Sequence, residues 1–367
     1  MNKILVAMDS FKGTFTSIEL SKLIKHHLSV VCQDLELVAM SDGGEGFVEA
    51  LTYSLAGQEK NLIAEDAYGQ NKASKYVIVD NQIAIMEIAL SSGLSSIKEE
   101  KPNPYLTSSY GLGETIIDAL NQNVKTVMIG LGGSSTNDGG AGMLQALGIR
   151  FLNKNHQEIQ RMTGLSIGKV KSIDISNLDP RIFETEFIVG CDVKNPLLGT
   201  LGASHIYGRQ KGATDDMIEV LENNMKHFSD VIVKTFNKDR RNDSGAGAAG
   251  GLGFALKTVL NAKLESGFKL VSEMIDLENK IKTSDIVITG EGKFDEQSFH
   301  GKVPIEVAKM AKHNQKKVIG IFGQSSIDIP QKLFDDFYCL VPELATEKDA
   351  INHPKENMIK LIKRIKI

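Results

Sequence analysis

The loop at residues 132–140, which reads GGSSTNDGG, is the part of the chain best suited to hold a charged ligand. It follows a short apolar run at residues 127–129 and precedes a segment with a helical pattern. Its glycines allow close approach of the backbone to a ligand, and its hydroxyl groups are neutral donors. A helix after the loop would direct unpaired N–H groups and its positive dipole end at that ligand. Against the alternative of a flexible turn, we predict a phosphate-binding loop with these contact residues: Gly132, Gly133, Ser134, Ser135, Asn137 and Asp138.

Charged residues elsewhere follow other apolar runs and would complete a site for phosphoryl transfer. That reaction needs positioned phosphates, a metal ion, cations over the transferring group and a carboxylate near the acceptor hydroxyl. The candidate cations are Lys12, Lys194, Arg209, Lys211 and Lys293. The candidate carboxylates are Asp9, Asp42, Glu45, Asp138, Asp192, Glu291 and Asp295.

Asp192 is the carboxylate that we favour as the catalytic base. It follows a predicted buried strand and precedes Pro196. The same position would also suit an aspartate that caps its own turn, and the spacing leaves both interpretations open. Arg209 and Lys211 stand just ahead of Thr214, a residue type that often begins a helix, so we expect them to bind a small carboxylate or phosphate.

The elements that must position these residues alternate between strands and helices. Apolar runs predict strands at residues 4–8, 35–40, 127–129, 187–189, 286–288 and 318–322. Helical patterns occur at residues 17–31, 114–120, 216–236 and 304–312. Such alternation is typical of parallel sheets, in which ligands bind at the carboxyl ends of the strands.

One segment predicts a second domain. Residues 75–88 form two β-like runs around Asp80-Asn81, which is a hairpin signal. Because hairpins do not belong in a doubly wound sheet, we predict an α/β protein with two α/β domains. A Rossmann-like parallel-sheet domain at residues 1–60 and 270–367 would then receive an inserted mixed α/β domain at residues 61–269, which carries the glycine-rich loops.

Composition excludes several classes of partner. The net charge of the 367 residues is −4, aromatic residues make up 6% and there is no Trp, so we expect no binding of nucleic acid. We also expect no binding of membranes, because no apolar run is long enough to cross one. Three widely spaced cysteines and the lack of a signal-peptide pattern predict a cytoplasmic protein. The sequence leaves the oligomeric state open.

Several familiar catalytic signatures are missing. The chain has no GxxxxGK[ST], GxSxG or HExxH sequence. A GxGxxG string does occur at Gly245, Gly247 and Gly250, but it follows a polar segment and no strand, so it fails the context of a dinucleotide fingerprint. The glycine-rich residues 240–253 predict a mobile loop instead.

Seven motifs, in order along nearly the whole chain, resemble glycerate kinases of the bacterial type-1 family. They are DSFKG (9–13), SDGGEG (41–46), GLGGSSTNDGGAGMLQALG (130–148), CDVKNPLLG (191–199), GASHIYGRQKGAT (202–214), GAGAAGGLG (245–253) and ITGEGKFDEQSFHGKVP (288–304). The chain departs from the family pattern at Met8, where proline is usual, and at His300, and neither change removes a charged motif residue.

The resemblance implies transfer of the ATP γ-phosphate to D-glycerate with Mg²⁺, by two α/β domains that enclose a cleft. The product would be 2-phosphoglycerate, although the family name has been used for both products. Motif position and chemical type together give the predicted roles. They are catalysis for Asp192, Lys12 and Lys211; substrate binding for Asp9, Ser10 and Arg209; and nucleotide binding for Gly132, Gly133, Ser134, Ser135, Asn137, Asp138, Glu291 and Asp295. The metal ligands stay undetermined.

Two other functions fit the same glycine loops. An NAD(P)-dependent dehydrogenase of a small hydroxy-acid should carry an acidic residue at the end of a second strand, about 20 residues beyond the first loop, and none stands out there. A non-catalytic protein that binds a nucleotide or an organic acid should have lost its chemical groups. Lys12, Asp192, Arg209, Lys211 and Asp295 are all present within their motifs.

Overall fold

The computed structural model describes residues 2–30, 32–44, 46–95, 97 and 102–367. The chain forms two compact units, which we call unit 1 (Met1–Ala56 and Ser266–Ile367) and unit 2 (Gly57–Glu265). Glu45 and the predicted helix end at Val31 lie outside the described residues. Within those residues, no helix has both the length and the apolar character needed to cross a membrane.

Strands and helices alternate through most of the chain. The strands are β1 (Ile4–Met8), β2 (Leu35–Ala39), β3 (Gln58–Glu65), β4 (Asn71–Val79), β5 (Ile83–Glu87), β6 (Thr126–Gly130), β7 (Arg150–Leu152), β8 (Ser172–Asp174), β9 (Glu186–Gly190), β10 (Lys263–Glu265), β11 (Ile286–Phe294), β12 (Lys317–Ser325) and β13 (Asp336–Val341). The α-helices are α1 (Ser17–Leu28), α2 (Phe47–Leu55), α3 (Ile88–Ser92), α4 (Tyr110–Asn121), α5 (Ala141–Ala146), α6 (Ala203–Tyr207), α7 (Asp215–Phe236), α8 (Ala248–Val259), α9 (Gly267–Met274), α10 (Leu277–Lys282), α11 (Val303–His313), α12 (Glu347–Asn352) and α13 (Pro354–Ile362). Short 3₁₀ turns lie at Ser166–Lys169, Pro180–Phe183, Arg209–Lys211 and Glu296–Phe299.

Unit 1 contains a parallel, Rossmann-like sheet, as predicted. Its strand order is β13-β12-β11-β1-β2, and β1 pairs with β11 from Ile4 opposite Ile286 to Met8 opposite Gly290. Every residue of β1 is buried, which fits the apolar run of a central strand in a parallel sheet. Helix α1 covers β1 and β2 and begins with a capping box between Thr16 and Glu19.

Unit 2 contains the predicted mixed sheet, with strand order β10-β9-β6-β5-β4-β3. Strands β5, β6, β9 and β10 run parallel, whereas β3, β4 and β5 form an antiparallel meander. The hairpin signal at Asp80-Asn81 is confirmed, and both residues have positive φ angles, of 52° and 56°. The sequence reading missed β3 because its run is polar and largely exposed.

Helix α4 begins at Tyr110, four residues before the predicted start. Gly111 and Gly113 lower the helical propensity of its first turn. A Cβ atom at Gly111 would lie 1.9 Å from the carbonyl oxygen of Glu65, so close packing of α4 on β3 requires glycine there. Tertiary contact therefore extends a helix that the local sequence disfavours.

The prediction of a mobile loop is wrong for residues 245–253. Most of this segment is buried, and it begins helix α8, with positive φ angles at Ala249, Gly250 and Gly251. A Cβ atom at Gly250 would lie 2.0 Å from the carbonyl oxygen of Thr136. In addition, the Gly139 N–H donates to the Gly250 carbonyl over 2.9 Å. The glycines therefore let the start of α8 pack directly against loop 132–140.

We expect Gly250→Ala to destabilise the protein far more than Gly199→Ala. Both glycines have left-handed φ angles, of 66° and 86°, but a Cβ atom at Gly199 would meet nothing within 4 Å. Gly199→Ala should cost the backbone strain alone, about 1–2 kcal/mol. Gly250→Ala should add overpacking of roughly 1–3 kcal/mol. Urea denaturation of the two variants measures the difference, and equal losses would contradict the packing of α8 on the loop.

Candidate active site

The carboxyl ends of four parallel strands bring charged side chains together in unit 1. Asp9, Ser10 and Lys12 follow β1, and Asp42 follows β2. Glu291 and Lys293 lie two residues apart near the end of β11, on one face of the strand. These six residues, with Lys302 and Gln324, line a cavity of about 250 Å³.

Asp9 is a buried carboxylate among other acids. Its Oδ1 atom accepts the N–H of Ser10 over 2.7 Å, and its side chain contributes to the cavity wall. Burial, and then the nearby Asp42 and Glu291, raise the pKa of Asp9 to about 8, although Lys12 opposes the shift. A positive ligand placed beside these groups would relieve their mutual repulsion.

Glu291 shares the cavity wall with Lys302, whose Nζ lies 3.4 Å from the Glu291 Oε2 atom. Burial raises the pKa of Glu291, against the opposing effects of Ser298 and Lys302. Among the atoms of the described residues, the buried Oε1 of Glu291 has no hydrogen-bond partner. Asp295 plays a structural part here, because its carboxylate caps the turn Glu296–Phe299 through the N–H of Gln297.

A magnesium ion fits the acidic part of this cavity. Within the described ranges, no three His, Cys, Asp or Glu side chains are close enough to hold a metal by themselves. Mg²⁺ usually keeps several waters and binds one or two protein carboxylates together with substrate phosphates. Asp9 and Glu291, both buried with raised pKa values, are carboxylates of this kind.

In unit 2, the loop at residues 132–140 follows β6, but its helix does not offer free N–H groups. The buried carboxylate of Asp138 accepts the N–H groups of Gly140 and Gly142, each over 3.1 Å. It also accepts the N–H and the hydroxyl of Ser109, each over 2.8 Å. That hydroxyl in turn accepts the N–H of Met143. The prediction that this helix directs unpaired N–H groups at a ligand is therefore wrong. Asp138 accepts the N–H groups of Gly140 and Gly142, and Ser109 accepts that of Met143.

Lys211 lies inside the same part of unit 2. Its Nζ donates to the carbonyl oxygen of Thr136 over 2.7 Å and to the hydroxyl of Ser134 over 3.1 Å. Burial lowers the pKa of Lys211 to about 7, and the charge of Asp138 opposes the shift. This lysine therefore ties the loop to the 3₁₀ turn that carries it.

The remaining loop residues differ in exposure. Ser135 and Asn137 are fully buried; the Ser135 hydroxyl donates to the carbonyl of Ser92, and the Asn137 amide donates to the hydroxyl of Ser204. Gly133 is exposed and has a φ angle of 72°. Of the predicted contact residues, Gly132 and Gly133 are the ones that keep surface available for a ligand, whereas Ser134 is buried with 6% exposure.

Asp192 and Arg209 lie at different places in unit 2. Asp192 follows the carboxyl end of β9, which pairs with β6, so it lies on the sheet edge that also carries loop 132–140. Arg209 is exposed, and its guanidinium forms an ion pair with Asp215, 2.7 Å away. Thr214 caps helix α7 as predicted, through the N–H of Met217. Arg209 therefore lies at the protein surface, whereas Lys211 is buried.

Sequence reasoning missed two parts of the unit 1 cavity. Lys302 belongs to a motif quoted above, but only the fold shows that it faces Glu291. The second part is the set of apolar side chains that line the cavity. Most of them come from residues 340–358, where no sequence motif predicts a ligand contact. Apolar residues in short helices carry no signal that separates a ligand contact from ordinary core packing.

A family model described as the glycerate kinase family matches residues 4–366. The chain is 40% identical to glycerate 2-kinase of Escherichia coli (strain K12), over 99% of this chain and 97% of that one. It is also 40% identical to glycerate kinase of Bacillus subtilis (strain 168), over 97% and 94% of the two chains. A crystal structure of a glycerate kinase 2 candidate from Salmonella typhimurium LT2 is 37% identical, covers 99% of this chain and 96% of its own, and superposes with a TM-score of 0.85. The chain therefore belongs to the glycerate kinase family and is a phosphotransferase.

Proposed function

We propose that the protein transfers the γ-phosphoryl group of ATP to D-glycerate, with Mg²⁺ as the metal, in the cytoplasm. The observation that carries the proposal is the convergence of Asp9, Lys12, Asp42 and Glu291 at the carboxyl edge of one parallel sheet. Phosphoryl transfer needs such a combination of carboxylates and cations. The 2-hydroxyl is the proposed acceptor, because the E. coli relative is named glycerate 2-kinase.

Each compact unit is one domain in this proposal. In unit 1, Lys12 faces the transferring phosphoryl group. Asp9 and Ser10 bind the acceptor, D-glycerate. Glu291 and Asp295 bind the nucleotide. Asp9 and Glu291 would hold Mg²⁺, which supplies neutralisation of phosphate charge. Lys302 favours the ionised form of Glu291 against the effect of burial, because its ammonium lies 3.4 Å from the carboxylate.

In unit 2, Gly132, Gly133 and Ser134 contact nucleotide phosphates, and buried Lys211 supports them from within the protein. Ser135, Asn137 and Asp138 hold the shape of the loop, since their hydrogen bonds go to protein groups. Asp192 orients the acceptor hydroxyl or takes its proton. Arg209 binds the glycerate carboxylate after it exchanges its exposed partner Asp215 for the ligand.

The two other functions have no support from the comparisons. The relatives reported above carry kinase names, and none of them is named as a dehydrogenase or a binding protein. The glycines of the GxGxxG string have a structural reason: Gly250 packs against Thr136 of loop 132–140, and Gly247 packs against the carbonyl of Pro196.

The direct test is release of ADP from ATP-Mg, measured with and without D-glycerate. We expect ADP release that depends on D-glycerate and no reduction of NAD(P)⁺ by the same acid. Reduction of NAD(P)⁺ without ADP release would support a dehydrogenase. Nucleotide binding without either reaction would support a binding protein.

Replacement of Asp192 by asparagine should lower kcat roughly 10²- to 10⁴-fold, as expected for loss of a general acid–base group. Asparagine keeps the shape of the side chain, so thermal stability and nucleotide Kd should change little. All three quantities should be measured on one preparation. A normal kcat would exclude the catalytic role, and a collapse in stability would identify Asp192 as a cap of its own loop.

Replacement of Gly133 by valine should raise the KM for ATP, because a branched side chain cannot adopt the left-handed φ of 72° without strain and would hinder close approach of the phosphates to the backbone. Ser134→Ala should have a smaller effect, since it removes one neutral donor. Gly199→Val, at an open left-handed glycine of the same unit, is the control for strain alone. If folded Gly133→Val keeps its KM for ATP, the loop does not hold the phosphates.

The raised pKa of Asp9 predicts a pH-dependent stability. Between the unfolded pKa of 3.8 and the folded pKa of about 8, the native state holds a proton that the unfolded chain has released. Stability from this group therefore falls as the pH rises through that window. Thermal melting from pH 5 to pH 9 should show a smaller decline for Asp9→Asn than for the wild type, and saturating Mg²⁺ should reduce the difference. Parallel curves for the two proteins would contradict the raised pKa.

A further inference from the structure

The unit 1 cavity has two chemically different walls. One wall carries the charged groups at the strand ends, with Lys12, Lys293 and Lys302 as its cations. The second group of lining residues, which we call the apolar wall, includes Phe15, Leu340, Ala350, Ile351, Pro354 and Met358, and Glu347 is the charged residue among them. Most of these residues belong to β13, α12 and α13, which contribute none of the motif residues.

The apolar wall does not match the chemistry of D-glycerate. Every carbon atom of that acid carries oxygen, so an apolar surface gives it no favourable contact. The cavity volume of about 250 Å³ lies just below the range of roughly 300–1,000 Å³ that is common for ligand pockets. A three-carbon acid would leave much of this space unfilled, whereas a planar base with its sugar would fill it.

An apolar wall beside cations suits a ligand with a flat heteroaromatic part and an anionic part. Gln324 and Gly323, near the end of β12, also line the cavity. A glutamine amide offers a donor and an acceptor side by side, which is the pattern on the edge of a purine. A Cβ atom at Gly323 would lie 2.4 Å from the Gly292 carbonyl oxygen, so the close packing of these two strand ends beside the cavity requires glycine.

We propose that this cavity binds the adenine base and ribose of ATP, with the base against residues 340–358 and the ribose toward the strand ends that carry Lys12 and Lys293. The inference deepens the proposed function and rests on it for the identity of the nucleotide. It assigns a binding role to the carboxyl-terminal segment of the chain, which carries no charged motif.

Calorimetric titration of Ala350→Phe with two probes tests the proposal. The probes are AMP-PNP with Mg²⁺ and inorganic tripolyphosphate with Mg²⁺, which differ in the nucleoside. Phenylalanine at the half-buried position 350 would fill the base pocket. Affinity for AMP-PNP should fall at least about tenfold, a loss of ~1.4 kcal/mol. Affinity for tripolyphosphate should stay within about twofold.

A second, milder substitution tests the same wall of the cavity if Ala350→Phe does not fold. Ile351 is 59% exposed, and Ile351→Asn should weaken AMP-PNP binding several-fold without loss of the core. Val30→Asn is the matched control, because Val30 is 87% exposed in the same unit and outside the cavity. Circular dichroism and thermal melting confirm the fold of each variant.

Two results would overturn the proposal. One is unchanged AMP-PNP affinity in both cavity variants. The other is a raised KM for D-glycerate with normal AMP-PNP affinity, which would make the cavity the acceptor site. Failure of the proposed function looks different: the wild type would not phosphorylate D-glycerate, yet Ala350→Phe would still lose AMP-PNP selectively.

Discussion

The parallel pairing of β1 with β11 is the constraint on which the charged site of unit 1 depends. It joins Ile4 to Ile286 and Met8 to Gly290, across nearly the whole length of the chain. The Asp9 N–H continues the pairing by donating to the Gly290 carbonyl over 3.0 Å, so Asp9 lies beside Glu291. A slip of one residue would turn every side chain of β1 to the opposite face of the sheet and separate the two carboxylates. At Gly290, a Cβ atom would lie 1.7 Å from the Ile321 carbonyl oxygen, so the register also needs glycine.

Both units keep ionisable groups in surroundings that disfavour their charge. In unit 1, burial and neighbouring carboxylates raise the pKa of Asp9, which leaves a site ready for a cation. In unit 2, Asp138 and Lys211 are buried near each other, and four protein donors satisfy the carboxylate. The first arrangement is incomplete without a ligand, whereas the second is complete and fixes a loop. This contrast is why we place metal chemistry at Asp9 and a supporting role at Asp138.

The sequence predicted the features that depend on local pattern. Apolar runs located β1, β2, β6, β9, β11 and β12, Thr214 was correctly read as a helix cap, and Asp80-Asn81 marked the hairpin. The prediction failed where contacts between residues distant in the sequence determine the local structure. The glycines at 245–253 predicted a mobile loop, but in the structure Gly250, at the start of α8, packs against the carbonyl of Thr136. The hydrogen bonds that Ser109 donates to Asp138 also have no signal in the sequence, because the two residues are 29 positions apart. The apolar wall at residues 340–358 has no sequence signal, because its residue types are those of any core.

The central claim is that this chain phosphorylates the 2-hydroxyl of D-glycerate. ³¹P and ¹H NMR of a reaction that contains the protein, ATP-Mg and D-glycerate tests it most directly. We expect a new phosphomonoester signal coupled to the single proton on carbon 2, together with ADP. Coupling to the two protons on carbon 3 would contradict the acceptor assignment, and the absence of any new phosphomonoester would contradict the claim itself.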